Sequence, residues 1–291
     1  MKYVFKMFFL VYIILLSIHF CGCNKQQEEL TTKIESTHNQ EIIVENIVEI
    51  NPKVDEMLIS MQEEISIPEV KPYVICIDPG HQSKGNNEKE PIAPGASETK
   101  AKVSSGTSGR YTGAPEYKIN LDVSLILKEE LEDRGYTVIM TRDTNDVNIS
   151  NSERAMMANN ANADAFIRIH CNGSENPRAN GMMTICPTAN NQYCKDIYER
   201  SKVLSELILD NMILSTGAKK EKVWETDTMS GINWSSVPVT IIEMGYMTNK
   251  EDDENLSNHD YQTRIVLGIA NGLDSYFEVF QRENNSDDLE Q

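Results

Sequence analysis

Tyr73-Val-Ile-Cys-Ile-Asp-Pro-Gly-His81 joins a short β-branched and aromatic run to a break at Asp78-Pro79-Gly80. The run predicts a buried strand, and the break displays His81 just past its C-terminal end. Two later segments repeat the pattern. Ala165-Phe-Ile-Arg-Ile-His170 is an apolar strand ending on a histidine, and Val239-Thr-Ile-Ile-Glu243 ends on a carboxylate before Met244-Gly245. Strands alternate with helical stretches along the chain. That predicts an α/β fold: a single three-layer domain, a mostly parallel twisted sheet with helices on both faces. If the three strands run parallel, His81, His170 and Glu243 share one rim, the edge where open α/β sheets gather ligands.

The elements between these strands carry their own signals. Glu116 to Arg134 predicts a helix whose apolar face is Ile119, Val123, Ile126, Leu127 and Leu131, with Gly135 as its stop. Tyr136–Thr141 reads as a strand, and Ser150-Asn-Ser-Glu153 as a capping box opening a helix to about Ala161. Gly181–Cys186 predicts a further strand, Tyr193–Ser215 an amphipathic helix ended by Gly217, and Tyr261–Phe280 the last helix. Residues 82–115 are rich in Gly, Ser and Thr without apolar periodicity, and read as a long functional loop. No regular pattern marks Val223–Asn233.

The ends differ in composition from the body. Residues 1–23 place Lys2 and Lys6 before an apolar run from Met7 to Ile18, too short to span a membrane comfortably and laid out as an export signal. Phe20-Cys21-Gly22-Cys23 resembles a lipoprotein-type processing site with Cys23 as the lipidated residue; an ordinary signal or an uncleaved N-terminal anchor together fit the segment as well, and all three readings export the chain to the cell envelope. Residues 24–70 hold eleven acidic residues against three basic ones and predict a solvated acidic spacer, with helical spacing at Val54, Leu58, Met61 and Ile65. The folded body is expected over 71–280, followed by a polar tail, 281–291. A net charge of −18 leaves no basic stripe for phosphates and excludes a nucleic-acid binder. Oligomeric state leaves no mark in the sequence. The six cysteines form no CxxC pair, so neither a zinc ribbon nor a thioredoxin-type motif is expected. Cys76 and Cys186 read as buried small hydrophobes, and Cys171 as facing away from its neighbour His170.

A helix that follows a parallel strand begins at the strand's C-terminal rim, so Glu116 falls beside both histidines. Two imidazoles, a carboxylate and an open position for water make up a catalytic zinc site. His81, Glu116 and His170 meet that requirement for one Zn2+ per domain, and Glu243 is placed to move protons. Glu116 reads equally well as a helix-opening acid favourable to the dipole, with Glu98 the rival third ligand. Asp78 is expected to hydrogen-bond the turn at Pro79-Gly80. Arg168 shares a strand face with His170 and is expected to pair with a carboxylate of the site or of a substrate, or to form a structural ion pair. Asn172 is expected to donate to substrate.

At these residues the chain resembles the zinc-dependent N-acetylmuramoyl-L-alanine amidases of the Amidase_3 type. The matching text is Ile77-Asp-Pro-Gly-His81, Glu116-Tyr-Lys-Ile-Asn120-Leu121, Thr141-Arg142 with Ser152-Glu153-Arg154, Ala163 to Asn172, and Glu243-Met-Gly-Tyr-Met-Thr-Asn249. Cys171 and Arg168 depart from the small residues usual at their places. The resemblance implies zinc on His81, Glu116 and His170, Glu243 as acid/base, and peptidoglycan as substrate, cut between the muramic lactyl group and L-alanine. Two other readings share these residues: a zinc peptidase acting within the stem peptide, and a silent wall-binding protein.

Overall fold

The computed structural model describes residues 70–287. The signal-like segment with Cys23 and the acidic spacer lie outside the described residues, as do residues 288–291. In chain order the body holds β1 (Val74–Pro79), β2 (Asn86–Pro91), β3 (Thr99–Val103), α1 (Glu116–Asp133), β4 (Thr137–Met140), α2 (Asn151–Asn160) and β5 (Ala165–Asn172). It continues with β6 (Met182–Cys186), α3 (Tyr198–Thr216), β7 (Lys220–Glu225), α4 (Ser230–Asn233), β8 (Val239–Tyr246), α5 (Lys250–Leu256) and α6 (His259–Asp287).

Six strands form one sheet in the order β4-β1-β5-β8-β6-β7. The first four run parallel, with Ile77 beside Ile167 and His170 beside Glu243. β6 is antiparallel to β8, and β7 runs with β6, so the sheet is mostly parallel as expected. β1 and β5 are neighbours, yet the chain leaves β1 for β4 on one side and β5 for β6 on the other. That is a topological switch point, where side chains beyond the strand ends face an open crevice.

Strand alternation sorts the core into two layers. Ile75, Ile77, Ile167 and Ile169 meet α1, α3 and α6 through Val123, Leu127, Leu204, Ile208 and Ile269. Cys76, Phe166, Ile185 and Ile241 meet α2 and α4 on the other face through Ala155, Ala158 and Ile232. Burying one such aliphatic side chain is worth about 1.5–3 kcal/mol. α6 lies against α3 so closely that a Cβ on Gly268 would stand 2.5 Å from the Met212 Cα, and one on Gly272 2.6 Å from the Ile208 Cα.

The structure revises four local expectations. The long 82–115 loop contains the antiparallel hairpin β2–β3. It hid from periodicity because one face is solvated and its inward anchor is a carboxylate: buried Glu90 accepts from the Ser152 hydroxyl (2.5 Å) and backbone N–H (3.2 Å). The unpatterned stretch Val223–Asn233 takes in the end of the edge strand β7, which begins at Lys220 and whose alternating exposure is carried largely by Lys and Glu. α5 went unmarked; Asn249 caps it by accepting from the N–H groups of Glu251 and Asp252. α6 continues past Phe280 to Asp287, where the sequence predicts a polar tail. The capping box at Ser150 forms as predicted.

The end of β1 is locked from below by arginines. Asp78 is fully buried and accepts from Arg154 Nη1 (2.7 Å), Arg168 Nε (2.8 Å) and the Thr141 hydroxyl (2.5 Å). This corrects its expected role as a turn-capping group. The carbonyls beyond it are held in the same way. Pro79 O accepts from Arg142 and Arg154, Gly80 O from Arg142 and Asn120, and His81 O from Arg154.

Burial alone would raise the Asp78 pKa, but the two guanidinium charges and the hydrogen bonds hold it well below the usual carboxylate range. A carboxylate whose folded pKa is depressed contributes stability above its unfolded value of about 3.9, and loses that contribution as pH falls further. Asp78→Asn leaves buried cations unbalanced and is expected to cost about 3–5 kcal/mol in urea unfolding at neutral pH. Between pH 5 and pH 3 the wild type should lose stability more steeply than the variant.

Candidate metal centre

His81 lies just past the Asp78-Pro79-Gly80 break and adopts φ +59°, a left-handed conformation uncommon outside glycine. Its Nδ1 meets Ser104 O at 2.9 Å, which makes Nδ1 the protonated nitrogen and leaves the Nε2 lone pair facing inward. Glu116 opens α1 at the same rim with its carboxylate held from several sides. Oε2 accepts from Thr107 N–H (2.8 Å), and Oε1 from Cys171 N–H (3.1 Å) and Asn120 Nδ2 (3.3 Å). The β5–β8 register shifts just past His170, a local irregularity of the kind that re-aims groups beside active sites.

Three atoms converge. Glu116 Oε1 lies 3.1 Å from His81 Nε2 and 3.4 Å from His170 Nδ1, and the two ring nitrogens are 3.2 Å apart. A tetrahedral zinc site with bonds of about 2.0–2.1 Å has ligand–ligand edges of roughly 3.3 Å, so this triangle fits three corners of one coordination sphere. His170 Nε2 is buried without a hydrogen-bond partner. The ring is accommodated only because residue 80 is glycine: a Cβ there would sit 2.2–2.5 Å from the imidazole.

The electrostatics suit a cation. Burial works against ionisation of Glu116, yet hydrogen bonds and charge from His170 and His81 hold its carboxyl well below the usual range. Burial pulls His170 down to about 4, so its ring is neutral at pH 7 and has a lone pair to give. Glu243 behaves oppositely. Burial, and then the charge of Glu116, push its carboxyl well above the ordinary value, and its Oε2 has no partner. A carboxyl of raised proton affinity beside an anionic ligand set is the pairing that acid/base chemistry uses.

The structure therefore brings His81, Glu116 and His170 together, with Glu243 beside His170 on the neighbouring strand. The rival Glu98 is exposed at the β2–β3 turn and takes no part. Of the pairings expected of Arg168, the structural ion pair is the one that forms. Its buried guanidinium binds Asp78 and Asn151 (2.8 Å each), because the strand face it shares with His170 is covered at that depth by α2 and α4. Asn172 lies further out, its Nδ2 3.4 Å from the Met183 sulfur, on the wall of an open cleft. Cys171 faces the helical core, where burial holds its thiol protonated. Sequence reading missed Ser104, Asn120, Arg142 and Arg154 as supports of the site. Only the last three had a signal, since all stand inside the motif blocks.

With this geometry in hand, comparison with known proteins places the chain. Residues 75–275 match the Amidase_3 family, described as N-acetylmuramoyl-L-alanine amidase. The N-acetylmuramoyl-L-alanine amidase LytC of Bacillus subtilis is 28% identical over 205 residues, 70% of this chain and 35% of LytC. The protein YqiI of Bacillus subtilis is 29% identical over 183 residues, 60% of this chain and 84% of YqiI. Among solved structures, the N-acetylmuramyl-L-alanine amidase Ami1 of Mycobacterium smegmatis superposes with a TM-score of 0.63 over 72% of this chain and 99% of its own; at 22% identity it shows the shared fold.

The glycine contact gives a direct test of the triangle. Gly80→Ala must displace the His170 ring and is expected to weaken divalent-cation binding about ten- to a hundredfold. Competition against a chromophoric chelator measures this, with far-UV circular dichroism unchanged.

Proposed function

The chain belongs to the N-acetylmuramoyl-L-alanine amidase family, and from that premise we propose a zinc-dependent hydrolase that cuts peptidoglycan between N-acetylmuramic acid and L-alanine. The observation that carries the zinc reading is the triangle of His81 Nε2, Glu116 Oε1 and His170 Nδ1, whose edges suit one tetrahedral ion. These three residues would hold the metal. When bound, zinc supplies Lewis acidity, bringing the pKa of water towards ~7 and drawing charge from the scissile carbonyl.

The remaining work falls to the chain. Glu116 stays ionised at working pH and offsets half of a divalent charge, while the His170 ring is neutral and has a lone pair to give. Glu243 accepts a proton from the attacking water on Oε2, the oxygen left without a partner, and returns it to the leaving L-alanine nitrogen. Burial and the charge of Glu116 raise the proton affinity of this carboxyl, which favours its taking the proton of the water. Asn172, which lines the cleft, contacts the bound substrate. The chain works at the cell envelope, tethered through Cys23, a reading that rests on the Met7–Ile18 run and the Cys-Gly-Cys that follows. Among the described residues no helix is long and apolar enough to cross a membrane.

Three measurements test this reading. Digestion of purified sacculi should release free muramic lactyl carboxylates and new L-alanine amino termini; termini elsewhere in the stem would favour the peptidase. Chelation should abolish turbidity clearing and one equivalent of zinc should restore it. Glu243→Gln is expected to lower kcat about 10²–10⁴-fold with zinc content unchanged. An unchanged rate in that variant would favour the silent wall-binding protein.

A further inference from the structure

The face of the sheet that carries His170 continues beyond Glu243. Met183 on β6 stands opposite Glu243, and the next strand, β7, sets Trp224 beside Ile185. Because β6 runs antiparallel to β8, the beginnings of β6 and β7 lie at the same rim as the ends of β5 and β8. Asn172, Met183 and Lys222 there, with Trp224 further along β7, line one open cleft of about 620 Å³. Within its wall the Asn172 amide lies against the Met183 sulfur.

The far end of this cleft is cationic and aromatic in a chain of net charge −18. Lys220 is engaged by Asp210, and Lys219 lies 3.4 Å from Glu221. Lys222 differs. Among the described residues it pairs with no carboxylate, and its ammonium stands over the Trp224 ring, 5.7 Å from the centroid. Trp224 is itself 38% exposed, a large apolar surface left open on an edge strand. An acidic ligand approaching so negative a protein meets repulsion over most of the surface, so a cation at the cleft end decides where it settles.

We infer that Lys222 and Trp224 form a subsite for the acidic stem peptide on the amine side of the scissile bond. The inference rests on the amidase reading above. Two strand spacings separate β8 from β7, about 10 Å. An extended peptide advances about 3.3–3.6 Å per residue, so a carboxylate on the second or third residue of the stem reaches Lys222 while the first occupies the site. Trp224 offers the peptide an apolar face, and Lys222 fixes its charge.

The test compares the full chain with Lys222→Gln, Lys222→Arg and Trp224→Ala on N-acetylmuramoyl-L-alanyl peptides. The peptides carry either free carboxylates or carboxamides at the second and third residues. The wild type should prefer the carboxylate form about fivefold in kcat/KM, an effect of the size one partly exposed ion pair supplies. Lys222→Gln should lose that preference through KM, leaving the carboxamide substrate unaffected, and Lys222→Arg should restore it. Trp224→Ala should raise KM for both. Equal rates on the two substrates in the wild type, or a preference that survives in Lys222→Gln, would overturn the subsite and leave the amidase reading intact. Hydrolysis of neither substrate by the wild type would overturn both.

Discussion

Everything at the rim depends on a carboxylate that never reaches it. Asp78 sits in β1 three residues before His81 with Arg154 and Arg168 against it, and Arg142 completes a set of guanidiniums that hold the carbonyls of residues 79–81. Buried cations require a counter-charge, and a single acid serves two of them. Arg142 is drawn down to about 10 by burial and by Arg154, so it remains charged at neutral pH. The consequence is geometric. The chain is gripped at successive carbonyls just where it leaves the strand, which lets His81 hold a left-handed conformation that would otherwise relax.

Above that anchor, each metal-facing group is oriented by a second contact: Ser104 O for His81, Thr107 and Cys171 N–H for Glu116, and the bare α-carbon of Gly80 for His170. Second contacts of this kind fix tautomer and direction before a ligand arrives, so little reorganisation remains to be done on binding. The hairpin loop contributes two of them, Ser104 and Thr107, which gives a structural purpose to a segment without apolar pattern. Asp253 secures the same loop from α5 by accepting from Tyr111 and Thr112. Glu243, by contrast, is left unsatisfied in a buried place. Unsatisfied carboxyls are costly where only stability matters, and they are retained where a proton must move.

The fold was legible wherever a period or a cap wrote it. The β1, β5 and β8 runs, the α1 stripe and the Ser150 box all appear in the structure near their predicted bounds. Elements whose signal was ionic were not legible. β2–β3 is anchored by Glu90, and β7 alternates Lys and Glu with few aliphatics, so hydrophobic periodicity passes over both. Arg168 shows the same limit in the site. Its position on the His170 face was readable from alternation, but depth along that face was not. Two residues towards the strand's start, the face is already roofed by α2 and α4, and the charge turns to Asp78.

By itself the sequence determined which residues stand within two or three places of strand ends, since local propensity and a Pro-Gly break need no distant partner to act; β5 and β8 run on past His170 and Glu243 to Asn172 and Tyr246. It also determined that two of them were histidines and that a helix began on a glutamate. Only the tertiary structure decided that His81, Glu116 and His170, far apart along the chain, bring their ligand atoms within 4.8 Å of one another while Glu98 stays in solvent. It alone carried the same sheet face onward to Lys222 and Trp224. The reason is physical: strand order and crossover direction are set by burying both faces of the sheet at once, and that choice is made by the whole core rather than by any segment within it.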